Sequence, residues 1–145
     1  MEKGIFKKEE NALRFDAWKG EFSRLEEEYY KLSEKGIYFI TPLDEEYPRR
    51  LYSVYDYPLG LYVKGSLPKE DKATAAVISA RNCTAYGREA AGYMAKELAA
   101  AGIQIISGMA LGIDGAGHEG AMAAGGMTYA VLGCGVDQCY PRSNF

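Results

Sequence analysis

Three short turns hold the residues of this sequence best suited to chemistry: Ser79-Ala80-Arg81-Asn82-Cys83, Ser107-Gly108-Met109-Ala110-Leu111-Gly112 and Gly133-Cys134-Gly135-Val136-Asp137. Each follows a short apolar run, and the first two lead into helical patterns. Glycines let a backbone close on a ligand. Helix N-termini present unpaired N–H groups and a partial positive charge. A guanidinium holds a phosphate through two parallel hydrogen bonds. The chemistry on offer is therefore anion binding, phosphate above all. Arg81 is the most informative charge, being one of four basic residues after position 74 and standing where an apolar run ends. Its alternative use is an ion pair with Asp114 or Glu89. Arg142 follows the third run and is placed to join Arg81, whereas Arg88 lies inside a helical stretch and reads as solvated.

Asp114 opens the second helical stretch, and His118 is four residues on, so the two share a face. Asp114 reads as an N-cap and His118 as a hydrogen-bonded structural histidine. A general base would need a partnered nucleophile, and none is evident. Cys83, Cys134 and Cys139 fall in turns expected on the same edge as His118. Cys134 and Cys139 have four residues between them and the other ligands would come from separate turns, a poor match to zinc spacing, so buried free thiols are the expectation. Gly108, Gly112 and Gly115 do not spell G-x-G-x-x-G, and there is neither a G-x-x-x-x-G-K-[ST] P-loop nor a G-x-S-x-G elbow. The sequence thus predicts no catalytic residues, no metal and no cofactor.

The elements that position these turns follow from periodicity. Ala75–Ser79, Ile103–Ile106 and Thr128–Leu132 are apolar runs, separated by helical stretches over about Thr84–Ala101 and Asp114–Ala124. The order is β-α-β-α-β. Strands apolar on nearly every residue are expected to be buried on both faces of a parallel sheet. Right-handed crossovers then give part of a doubly wound, Rossmann-like α/β sheet, with all three turns on the ligand-binding edge. Upstream, Phe22, Leu25, Tyr29 and Leu32 mark an amphipathic helix over about Glu21–Lys35, ended by Gly36. Tyr38-Phe39-Ile40 and Leu59–Lys64 read as strands, and Tyr47-Pro48 as a turn or helix start.

The halves differ in kind. Residues 1–74 carry 13 Lys+Arg and 15 Asp+Glu, against 4 and 5 in the remainder, which holds 12 of the 17 glycines. A small helical module over 1–37 followed by a buried-sheet module over 38–145 is the expected division. Eight of the 12 tyrosines lie between Tyr29 and Tyr62. Tyrosines stack on bases, but a tyrosine-rich core and docking surface is the first reading for most of them. No apolar run is long enough to span a membrane, and the charged N-terminus does not read as a signal peptide. An odd cysteine count suits a reducing cytoplasm. The net charge of −3 announces no nucleic acid, so such a partner must be argued from local residues.

Taken in order, Tyr47-Pro48 and Leu51, Asp56-Tyr57-Pro58-Leu59-Gly60-Leu61-Tyr62-Val63-Lys64-Gly65, Val77-Ile78-Ser79-Ala80-Arg81, Tyr86-Gly87, Ser107-Gly108-Met109-Ala110-Leu111-Gly112-Ile113-Asp114, His118, Ala130-Val131-Leu132-Gly133-Cys134-Gly135-Val136-Asp137 and Tyr140-Pro141 form a series over about residues 38–145. This series resembles the DprA/Smf family, the DNA-processing protein A group. The S-G-x-A-x-G-I-D segment with its following histidine is the most specific part.

The resemblance implies an extended Rossmann fold that binds single-stranded DNA, shields it during natural transformation and loads the RecA recombinase. It implies a recombination mediator rather than an enzyme, a homodimer at full length, a SAM-like or variable leading module, and no membrane. Arg81 matches the arginine of the family's basic pocket. Ser107, Gly108, Gly112 and Gly135 match the pocket walls, and Arg142 stands where a basic residue often follows the Tyr-Pro pair. Ser79, Asn82 and Gly133 complete the candidate phosphate-binding set. Two positions depart from the pattern: Ser79 replaces a glycine, and Gly117 stands where alanine usually precedes the histidine. Family members continue past this point with further strands and helices, so a partial member with an uncovered apolar sheet face is expected. The rival reading is a nucleotide-binding or nucleotide-hydrolysing enzyme on a related Rossmann scaffold. It needs acidic catalytic residues at the edge, and the P-G-G-x-G-T motif of such enzymes is absent.

Overall fold

The computed structural model describes residues 21–139 and Pro141. The chain divides into two compact units, one up to Tyr38 and one from Phe39. In the first, α1 (Phe22–Glu34) follows the predicted amphipathic pattern, with Leu25 and Leu32 partly buried. Its surface carries ion pairs of Arg24 with Glu21 and Glu28. The rest of the expected N-terminal module, residues 1–20, lies outside the described residues, as does Arg142.

The second unit opens within β1 (Ile37–Ile40), which forms a two-stranded sheet with β2 (Leu61–Lys64). Between them Pro48, with its fixed φ, leads a 3-10 helix over Arg49–Ser53. Tyr47 is 2% exposed and its hydroxyl donates to the Pro58 carbonyl. The Tyr52 ring bridges to Tyr47 and Tyr57 at centroid distances of 5.4 Å each. Tyr47 is the tyrosine that serves a core, whereas Tyr52, Tyr55, Tyr62, Tyr86 and Tyr93 are exposed. Of the expected tyrosine-rich core and docking surface, the core part narrows to Tyr47, and most of the other described tyrosines are exposed.

The Rossmann-like part is β3 (Thr74–Ala76), α2 (Ala85–Ala100), β4 (Gln104–Ser107), α3 (Ile113–Ala123) and β5 (Thr128–Ala130). The three strands pair in parallel in the order β3-β4-β5, with Ala75 opposite Ile105 and Ile105 opposite Thr128. Ile105, 0% exposed, packs with Ala95, Ala99 and Ala121, which places both helices on one face of the sheet. A second cluster, Ala91, Ile113 and Ala116, lies against Val77 and Cys83. These small residues let the helices close to backbone contact. A Cβ on Gly120 would sit 2.1 Å from the Gly92 carbonyl oxygen, and one on Gly117 would sit 2.9 Å from Val77 Cγ1. The glycine at 117, where the family pattern expects alanine, is therefore matched to the bulk of Val77.

Burial on both faces holds for β4 alone. Gln104, Ile105 and Ser107 are each at most 2% exposed, whereas Ile78 and Val131, just past β3 and β5, are 66% and 68% exposed. On the face away from the helices, the amide of Gln104 bonds the backbone N–H and carbonyl of Lys69. Arg50 ties the same segment down through Thr74 Oγ1 and the carbonyls of Glu70 and Lys72. The segment covers the lower part of that face. The upper part, toward the strands' carboxyl ends, carries the exposed Ile78 and Val131.

Candidate phosphate-binding edge

All three strands end at one edge, so the turns after Ala76, Ser107 and Ala130 converge there. The ladder runs slightly past the strands: Val77 N–H bonds Ile106 O at 3.0 Å and Val131 N–H bonds Ser107 O at 2.8 Å. The first and third strands stop short of the predicted Ser79 and Leu132. For the first strand, the Ser79 N–H is taken by the Asp114 carboxylate in place of a ladder partner.

Asp114 organises the edge. It is 6% exposed and lies in the first turn of α3. Its Oδ1 accepts from Ser79 N–H at 3.4 Å, and its Oδ2 accepts from Gly108 N–H at 3.2 Å and Ala110 N–H at 3.4 Å. A buried carboxylate is retained when hydrogen bonds to its charged form replace water. The N-cap position belongs to Gly112, which has no side-chain bond. Asp114 therefore departs from the predicted capping role and staples the first and second turns together. Gly108 is cut to fit it, since a Cβ there would come 2.8 Å from Asp114 Oδ2.

This arrangement sorts the predicted site residues. The Ser107 hydroxyl, 2% exposed, donates to Val77 O at 2.7 Å and supports the edge from within. The amides of Ser79 and Gly108 are directed at Asp114. The first N–H groups of α3 are also engaged: Ile113 with Ala80 O and Gly115 with Ala110 O. At α2, Thr84 is the N-cap and accepts from Gly87 N–H at 3.0 Å. Free helix N-termini therefore supply less of an anion site than the sequence suggests.

Arg81 and Asn82 remain, both exposed on the first turn. Among the described residues the Arg81 guanidinium has neither a hydrogen-bond nor an ion-pair partner, and the alternative pairing with Asp114 or Glu89 does not form. Gly112 supports this turn directly. At φ +84 its Cα approaches so closely that a Cβ would meet Ala80 O at 2.5 Å and Arg81 O at 2.6 Å. On the third turn Gly133 and Gly135 are exposed.

His118 lies lower than predicted. Its Nδ1 is 2.6 Å from Thr128 Oγ1 at the first residue of β5, away from the cysteine-bearing turns. The Thr128 hydroxyl is also 3.2 Å from Ile105 O, and when it donates there the imidazole N–H donates to Thr128. Nε2 is buried without a partner among the described residues. Burial lowers the imidazole pKa, and the nearby Asp114 charge opposes that shift. The expectation of buried thiols fails for Cys134, which is exposed, while Cys83 and Cys139 are partly buried. Sequence reasoning missed Arg50 and Gln104, whose roles as clamps lie in pairings across 20 or more residues. A buried-strand glutamine was the available signal for the second.

Residues 38–145 match the family model for DNA recombination-mediator protein A. This chain belongs to that family. Among recombination-mediator protein A relatives, DNA processing protein DprA of Bacillus subtilis is 38% identical over 112 residues, which cover 77% of this chain and 38% of the relative. Protein Smf of Escherichia coli is 36% identical over 110 residues, covering 75% and 29%. The solved structure of DprA from Streptococcus pneumoniae superposes with a TM-score of 0.65 at 33% identity, covering 79% of this chain and 41% of that one. That of DprA from Helicobacter pylori, which describes that protein's single-stranded DNA binding mode, gives 0.62 at 32%, covering 73% and 47%. The chain spans less than half the length of each of these recombination-mediator relatives.

Proposed function

We propose that this chain binds single-stranded DNA along the carboxyl edge of its parallel sheet, as part of a recombination mediator acting on incoming DNA in the cytoplasm. Arg81 is the phosphate grip. One observation carries the reading: an exposed guanidinium, without a side-chain partner among the described residues, on a turn braced by Gly112 and Asp114. An arginine with its fork free is poised to take a phosphate bidentately. Asn82, the Ser79 side chain, Gly133 and Gly135 flank the strand, with Arg142 as a second cation. The Helicobacter pylori relative's single-stranded DNA binding supports the same reading. RecA recombinase as the receiving partner and a homodimer as the working form complete it. The proposed role is binding rather than catalysis, a reading supported by the carboxylate between the first two turns, which is buried and bonded to backbone amides.

Fluorescence anisotropy of a labelled oligo-dT tests this at two salt concentrations. Saturable binding that weakens by roughly 0.7 log units per phosphate contact per log unit of salt is expected. Release of base from a nucleoside monophosphate without oligonucleotide binding would favour the nucleotide-enzyme alternative.

A further inference from the structure

Tyr86 is 80% exposed at the second residue of α2, five residues past Arg81. The helix start is held in place beneath it. Thr84 caps the turn, and Gly87 faces inward, where a Cβ would lie 3.3 Å from Thr84 Oγ1 and 3.6 Å from Ile113 Cδ1. Among the described residues the Tyr86 ring contacts no other ring, and its hydroxyl has no hydrogen-bond partner. At 80% exposure the ring is little used for packing and its face is available.

Its electrical surroundings point to the occupant. Tyr86 stands in the first turn of α2, where the helix dipole is positive, with Arg81 five residues before it, while Arg88, two residues after, lies on a different side of the helix. Glu89 follows at three residues. Tyr93, 66% exposed and two turns farther along α2, has glutamates four residues away on both sides, Glu89 and Glu97. Tyr86 has one glutamate on its face and the positive helix end, whereas Tyr93 has two glutamates and no such end, so phosphate is repelled less at the first tyrosine than at the second. An exposed cation five residues before an exposed aromatic, each without a side-chain partner among the described residues, is a pairing that single-stranded nucleic acid can use: backbone on the charge, base on the ring.

We propose that Tyr86 is a base-stacking platform that receives the nucleobase adjoining the phosphate held by Arg81. This rests on the single-stranded DNA reading above. It adds that binding draws on the bases as well as the backbone, without sequence choice, since every base offers a π-face.

The test uses the full chain and two labelled probes of equal phosphate number, oligo-dA and an abasic oligonucleotide, read by anisotropy at low salt. Tyr86→Ala is expected to weaken oligo-dA binding by roughly fivefold or more and to leave abasic binding within about twofold. Tyr86→Phe should keep oligo-dA affinity, and Tyr93→Ala should match wild type. The platform is overturned if Tyr86→Ala changes neither probe, weakens both equally, or is matched by Tyr86→Phe. In those cases wild-type binding to oligo-dA still stands and the DNA reading survives. Wild-type failure to bind either probe overturns both. Thermal melts of the variants, expected to coincide because Tyr86 is exposed, separate lost binding from lost fold.

Discussion

Replacing Gly112 by alanine separates two physical effects at the turn that carries Arg81. Gly112 has φ +84, and Gly102, at the end of the same crossover unit, has φ +82. A Cβ on Gly102 meets nothing within 4 Å, whereas one on Gly112 meets Ala80 O at 2.5 Å and Arg81 O at 2.6 Å. Left-handed backbone costs an L-residue about 1–2 kcal/mol, which Gly102→Ala incurs; Gly112, with ψ −121, lies outside the left-handed helical well in a region reserved to glycine, so its backbone cost is at least as large. Gly112→Ala must also move the Ala80–Arg81 backbone by roughly 1 Å to restore an ordinary carbon–oxygen contact. Such overpacking adds about 1–3 kcal/mol. At about 4–8 °C per kcal/mol for a unit of this size, Gly102→Ala lowers Tm by roughly 4–16 °C and Gly112→Ala by a further 4–24 °C. Gly133→Ala, with open space and no positive φ, is the blank for stability. Scanning calorimetry of the three variants reads the stability terms, and anisotropy well below their melting points reads the displacement of Arg81. Oligonucleotide binding should fall for Gly112→Ala and hold for Gly102→Ala. Coincident melting of Gly112→Ala and Gly102→Ala would refute the contact between α3 and the first turn.

Arg81→Ala should weaken oligo-dT binding, reduce the magnitude of the salt slope by about 0.7 and leave Tm near wild type; an unchanged slope would remove Arg81 from the phosphate contacts. Asp114→Asn keeps the shape but turns an NH2 toward at least one of the Ser79, Gly108 and Ala110 amides. It should cost about 1–3 kcal/mol, seen as a lower Tm, and an unchanged Tm would show that the staple is weak. His118 is the sole histidine and burial lowers its pKa below the ordinary 6.5. The unfolded chain therefore binds the proton more readily, so the contribution from neutral His118 is complete above about pH 6.5 and is lost as pH falls from there through the folded value. Urea midpoints should drop across that window, and His118→Gln should flatten the drop; an identical pH profile for the variant would rule His118 out.

The alternation of apolar runs and helical stretches made the parallel sheet legible, because buried strands and amphipathic helices have different periods. Thr84 and Pro48 announced their helix starts through residue type alone. The turns were legible as places and less so as contacts. Asp114 looked like a cap because it opens a helix, yet its carboxylate meets amides 4, 6 and 35 residues away. Ser107 read as a pocket wall, and its hydroxyl points to Val77 O, a partner set by strand pairing. His118 was assigned to the edge by its helix, and the register of β5 placed its partner Thr128 lower. In each case the local pattern fixed the element, and a neighbour distant in sequence decided where the side chain bonds.

The Gly92–Gly120 crossing bears on how this protein tolerates change. The distance between α2 and α3 is set where main chain rests on main chain, with no side chain acting as a spacer. Interchangeable packing residues normally determine such distances, and they wander as sequences diverge. Here the gauge is the peptide unit itself, whose dimensions do not vary. Substitutions among the surrounding alanines can loosen the layer against the sheet while the two helix starts, and the turns they anchor, keep their separation. The span of the binding edge is thereby insulated from mutational drift in the core beneath it, and its fragility is concentrated at two glycines.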